Sequence, residues 1–125
     1  MQREIKFRGK RKDNGELIYG YYDGCYETAT INYLKNGIPY NACVIPETVG
    51  QYSGLKDKNG KEIYEGDIVK AREHNEIQFI HEIKHLSGVL WFGSWNWIEF
   101  QNIFRNIEVI GTIHDNPELL GANNP

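Results

Sequence analysis

Apolar positions in this chain recur mostly at every second residue and seldom at helical spacing. Near the start, Ile5 and Phe7 alternate with Glu4, Lys6 and Arg8, and near the end IEVIGTI (Ile107 to Ile113) alternates in the same way. A period of two sends successive side chains to opposite faces of a strand. That spacing puts Ile5 and Phe7 inward and the three charged residues on the wet face. Between these ends, YYDGCYETATINYLKNGIPYNACVIPETVG mixes aromatic and β-branched residues loosely, with Pro46–Gly50 as a connector. Further on, Gly66-Asp67 opens a strand in YEGDIVKA, and SGVLWFG and SWNWIEF read as two aromatic strands around a Gly93-Ser94 turn. Asn-Gly pairs at 14–15, 36–37 and 59–60 supply turns, since a type I′ hairpin requires positive φ at both central residues. Asp115-Asn116-Pro117 can start a short terminal helix. Roughly eight short strands with turns about every ten residues suit a small barrel or sandwich better than βαβ units.

Laid against itself with a shift of 45, GKRKDNGELIYG (Gly9 to Gly20) falls on GLKDKNGKEIYE (Gly54 to Glu65). Both read as strand, charged Asn-Gly turn and Ile-Tyr strand, through either duplication or the same turn chemistry arising twice. The spelling EGDIV, followed by GVLW, resembles the opening strands of SH3-like barrels. The expectation is a mainly β fold: a small SH3-like barrel with an additional N-terminal β lobe and at most one or two short helices. Residues 1–125 suit one domain, as a single unit or as two lobes of about 1–50 and 51–116 with a short tail.

One segment, 76–86, fits either period. As a helix it has an apolar stripe of Phe79, Ile80, Ile83 and Leu86; as a strand, Ile77, Phe79, His81, Ile83 and His85 share a face. The choice matters because HEIKH (His81 to His85) spells H-E-x-x-H. On a helix, His81 and His85 would reach one zinc and Glu82 would act as general base. In a strand, four residues span about 13 Å and the two imidazoles cannot share a metal. The position of a third histidine in the longer peptidase spelling is Trp91. The reading adopted is no catalytic residue, no cofactor and no metal, with His81 and His85 kept as remote metal candidates. DKNG at Asp57–Gly60 fails as a calcium loop, because Glu62 falls where the sharp-turn glycine belongs.

Composition narrows the class. With 40% hydrophobic, 25% charged and 13% aromatic residues, the chain is globular. No stretch approaches the roughly 20 apolar residues of a membrane span, and no apolar run follows the charged N-terminus as a signal peptide requires. Cys25 and Cys43 make no disulfide framework and read as free thiols in a reducing cytoplasm. Net charge is −3, yet residues 1–12 hold six Lys/Arg against Glu4 alone. Arg3, Lys6 and Arg8 therefore form a candidate basic interaction strand, or a strand edge guarded against aggregation. Trp91, Phe92, Trp95, Trp97 and Phe100 are the densest aromatic cluster. Such rings serve as core or as stacking platforms, and Trp91, Trp95 and Trp97 are the interaction candidates among them.

Three blocks carry a resemblance: MQREIKFRGKRKDNGELIYGYY, VIPETVGQYSGLKDKNGKEIYEGDIVKA and IEVIGTIHDNPELL. In this order they look like the signature blocks of the YopX family of phage and prophage proteins. The resemblance implies a mainly β, cytoplasmic protein from a phage or prophage gene, and it carries over no enzymatic activity. HEIKH lies outside these blocks. The resulting expectation is a non-enzymatic accessory protein that binds a host or phage protein and self-associates into a small homo-oligomer. The alternative is a nucleic-acid-binding module using the basic strand and the tryptophans; a zinc hydrolase through His81, Glu82 and His85 is a remote third.

Overall fold

The computed structural model describes residues 5–25 and 28–121. Among these residues the fold is mainly β, antiparallel, with two short α-helices, and the chain divides into two compact units, 1–52 and 53–125.

In the first unit, β1 (Phe7–Lys10), β2 (Leu17–Cys25), β3 (Thr28–Lys35) and β4 (Ile38–Cys43) form an antiparallel sheet in the order β4-β3-β2-β1. The opening residues of β5 (Gly50–Lys56) lie on the far side of β1. Alternation does the sorting. Ala29, Ile31 and Val44 are buried together, with Phe7, Ile18 and Val49 packed against them. Strand β2 changes partner midway, pairing with β1 up to Gly20 and with β3 from Tyr21 onward. At that crossing the backbones come so close that a Cβ on Gly20 would lie 2.1 Å from the Asn32 carbonyl oxygen. Only glycine fits. Asn36 and Gly37 both have positive φ, 55° and 78°, so the β3–β4 hairpin has the expected type I′ character.

The other two Asn-Gly pairs behave differently. Gly15 and Gly60 have positive φ, but Asn14 and Asn59 do not. The first turn closes with Gly15 N–H donating to Arg11 O, and the second with Gly60 N–H donating to Asp57 O. The two segments that align in sequence are therefore both hairpins, with turns of different span.

In the second unit the remainder of β5 neighbours β6 (Glu62–Tyr64). A five-stranded antiparallel sheet follows from β7 (Asp67–Arg72), β8 (Gln78–Leu86), β9 (Val89–Phe92), β10 (Trp95–Asn96) and β11 (Arg105–Thr112), in the order β10-β9-β8-β7-β11. Among the described residues β10 and β11 are opposite edges, so the expected closed barrel is not formed and the sheet is open. Of segment 76–86, residues 78–86 form strand β8. Its hairpin to β9 turns on Ser87 and Gly88, both at positive φ. SWNWIEF is not a continuous strand. Asn96 accepts a hydrogen bond from Glu99 N–H at 2.9 Å, and Glu99 accepts one from Asn96 N–H at 2.9 Å. This reciprocal cap starts helix α1 (Trp97–Ile103). The expected terminal helix is α2 (Glu118–Gly121), and no helix among the described residues is long and apolar enough to cross a membrane.

The core of this unit is aromatic. Phe92, Phe100 and Phe104 pack with Ile63, Val69, Ile83 and Leu90, and the Phe92 and Phe100 ring centroids are 4.7 Å apart. Next to it lies Asp57, 8% exposed. Its carboxylate accepts backbone N–H bonds from Asn59 and Lys61 at 2.9 Å and from Val109 at 3.0 Å. Burial opposes its charge, but the Val109, Lys61 and Asn59 amides outweigh that and hold its pKa below the usual carboxylate value.

Two predictions follow from these contacts. Asp57→Ala strips one acceptor from three amides and is expected to cost about 3 kcal/mol in urea unfolding. Because the folded pKa is depressed, the stability Asp57 contributes is present above the unfolded value of 3.8 and lost as pH falls through the folded one. The gap between wild type and variant should therefore narrow in acid. Gly20→Ala, which drives a methyl into backbone, should lower stability by at least about 1–3 kcal/mol; an unchanged melting temperature would disprove the close approach.

Candidate functional site

H-E-x-x-H lies within β8, where His81 faces Val69 of β7 and His85 faces Leu90 of β9. Four residues of strand separate the two imidazoles by about 13 Å of backbone, so they cannot bind one zinc as a helical pair would. Among the described residues no cluster of three or more His, Cys, Asp or Glu side chains has metal-binding geometry. His81 belongs to the aromatic core margin: its ring meets Phe92 edge-on at 5.0 Å and stacks beside Phe79 at 6.3 Å. A Cβ on Gly93 would come within 2.8 Å of that ring. Burial alone pushes the His81 pKa down. Glu82, on the opposite face, is pushed up by burial, with Lys84 and His114 opposing and Glu65 adding to the shift. His81, Glu82, Lys84, Leu86, Trp91, Gly93 and Leu120 line a cleft of about 180 Å³. His81 and Glu82, neighbours in β8, both border this cleft, and desolvation is the first cause of each shift.

The tryptophans divide. Trp95 packs edge-on against Phe79 and Phe104, at 4.9 Å each, and Trp97 stacks on Phe100 at 4.9 Å. Both are partly buried supports of the core. Because Trp97 starts α1, it does not share a strand face with Trp95. Trp91 lines the small cleft and donates through Nε1 to Leu86 O at 3.4 Å.

The basic strand is also rearranged. Arg3 and Glu4 lie outside the described residues. Lys6 sits over the Tyr52 ring at 5.3 Å. Arg8, expected on the wet face, is 4% exposed, whereas Ile5, expected inward, is 63% exposed. Arg11 is paired bidentately with Asp13 at 2.9 and 2.7 Å, and its Nη1 donates to the Tyr33 hydroxyl at 3.1 Å. The Arg11 guanidinium, hydrogen-bonded to it, holds the Asp13 carboxyl below the usual carboxylate range. No continuous phosphate-binding stripe results from Lys6, Arg8 and Arg11. Cys43 is a free, exposed thiol; the side chain of Cys25 lies outside the described residues.

A ligand-sized groove lies in the region that the sequence marks only as Tyr-rich. Register aligns Tyr21 with Asn32 and Asn32 with Asn41; one row along, it aligns Leu34 with Pro39. Tyr19 lines the same groove as Leu34. These residues share the sheet face opposite Ala29, Ile31 and Val44. Tyr21 and Leu34 are 68% and 72% exposed. The resulting groove, about 580 Å³, has a lining of tyrosine, asparagine, glycine, leucine and proline with no charged side chain. Asn41 Nδ2 donates to Asn32 Oδ1 at 2.6 Å, fixing the two amides side by side in its floor. The signal was present as period-two spacing in LIYGYYDG and TATINYLK, but two-sided apolar alternation does not tell which face is covered.

Two measurements check the β8 geometry. Protein purified without chelator should hold no stoichiometric zinc, and the His81→Ala, His85→Ala double variant should match it by metal analysis. The lowered His81 pKa also sets a sign. The unfolded chain takes its proton first, so the His81 contribution is complete above the ordinary value of 6.5 and is lost as pH falls below it. His81→Phe should lose less stability than wild type between neutral and mildly acidic pH in urea titrations.

A solved structure, the crystal structure of protein EF1440 from Enterococcus faecalis, is similar with a TM-score of 0.59 at 24% identity, covering 95% of this chain and 99% of that one. At that identity the likeness concerns the fold. No curated protein matches the chain. The family model described as YopX protein matches residues 5–121, nearly the full length. The chain belongs to the YopX family.

Proposed function

We propose that this YopX chain is a non-enzymatic interaction module that binds a partner protein through the exposed face of β2, β3 and β4. In this reading it is a phage or prophage accessory protein working in the bacterial cytoplasm on a host or phage protein. The observation that carries it is the groove itself: exposed Tyr21 and Leu34 with Pro39 over a fixed Asn32–Asn41 pair. Contiguous exposed apolar surface of this kind marks an interaction site more often than scattered single residues do. Tyrosine is also among the residues that dominate binding energy at interfaces. The absence of a helical H-E-x-x-H pair removes the sharpest argument for hydrolysis. The nucleic-acid alternative loses support with the burial of Arg8 and the pairing of Arg11 with Asp13.

The test is capture from a lysate of bacterial cells by wild type and by a Tyr21→Ala, Leu34→Ser double variant. Both side chains are exposed, so the melting temperature should not change. Wild type is expected to retain a defined protein, in a manner insensitive to moderate salt, and the variant to lose it. Equal capture by the two proteins would sink the reading.

A further inference from the structure

We propose that the groove takes a proline-rich segment in the polyproline II conformation, laid across β2, β3 and β4; this rests on the interaction-module reading above. Three observations select that occupant. The first is charge. The lining holds no ionised side chain, and the next residue along β2 on this face is the exposed Asp23. A phosphate backbone gains nothing from such a surface, whereas an uncharged segment pays no desolvation penalty for ionised groups.

The second is the edge. An extended peptide that added a strand to this sheet would pair with β4, the edge strand. Pro39 is the second residue of that edge strand and has no N–H to donate, and proline in an edge strand blunts pairing with another strand. This disfavours strand addition and leaves the face for the ligand. A polyproline II chain has no ladder to form, and its carbonyls stay outward and solvated. With Asn32 Oδ1 occupied by Asn41 Nδ2, the Asn32 amide retains N–H donors for such a carbonyl.

The third is repeat length. Strands lie about 4.8 Å apart, so β2 to β4 is about 9.6 Å. One turn of polyproline II is three residues at about 3.1 Å, close to 9.3 Å. Prolines at i and i+3 then meet Tyr19 and Tyr21 at one wall and Pro39 at the other. Flat aromatic rings against pyrrolidine rings are the usual way such segments are gripped.

The test uses decaproline as the probe, followed by amide chemical shifts of isotope-labelled full-length protein. Expected is saturable binding that moves Tyr19–Tyr21, Asn32–Leu34 and Asn41, is unchanged by moderate salt, and weakens about tenfold in Tyr21→Ala. A glycine-serine peptide of equal length should move nothing. No saturable shift, shifts confined elsewhere, or equal response to the glycine-serine peptide would overturn the proposal. So would stronger shifts of the same amides with oligothymidylate, or concentration-dependent shifts of the protein alone, which would assign the face to nucleic acid or to a second copy. Failure here alongside Tyr21-dependent lysate capture would reject the proline ligand and leave the interaction module standing.

Discussion

Three backbone amides converge on the carboxylate of Asp57, and the second unit is organised around that convergence. Two come from the turn that Asp57 itself begins; the third, from Val109, belongs to β11, far along the chain. A single acceptor thus closes a hairpin and fastens it to the outer edge of a sheet. Lys58 N–H adds a bond to Ile107 O nearby. An edge strand with unsatisfied amides invites pairing with other chains, and here a turn occupies those positions. The aromatic core beneath, from Phe92 to Phe104, is held under a rim that has been tied down.

The H-E-x-x-H string shows how much of a motif is geometry. The same five letters bring two imidazoles onto one metal in a helix and set them far apart in a strand. Helix and strand templates fitted 76–86 about equally. The strand prevails because its alternate residues are claimed from outside: Ile83 and, in part, Phe79 and His81 by the aromatic core. Tertiary packing decided what local periodicity left open.

Much of the fold was legible. The strand at Gly66-Asp67, the Gly93-Ser94 turn, the closing strand and the terminal helix follow from period and punctuation. At the first strand Phe7 packs on the core as its parity implied, but Arg8 is buried and Ile5, which precedes β1, is exposed, because alternation identifies two faces without saying which is covered. Asn96 to Glu99 spells a helix cap, yet the aromatic residues around it read as strand; the reciprocal hydrogen bonds outweigh their β preference. Barrel closure was not legible at all, since it depends on edge pairing across the sheet. For the same reason the tyrosine face was missed: its exposure is set by what packs elsewhere.

The β3–β4 hairpin has a consequence in time as well as in space. Its two-residue turn at Asn36-Gly37 keeps every contact within the hairpin close in sequence. Local hairpins form within about 1–10 μs, well before distant strands are gathered. The pairing of Asn32 with Asn41 and of Leu34 with Pro39 therefore needs none of the later chain, and half of the tyrosine face is assembled from the earliest contacts the molecule makes.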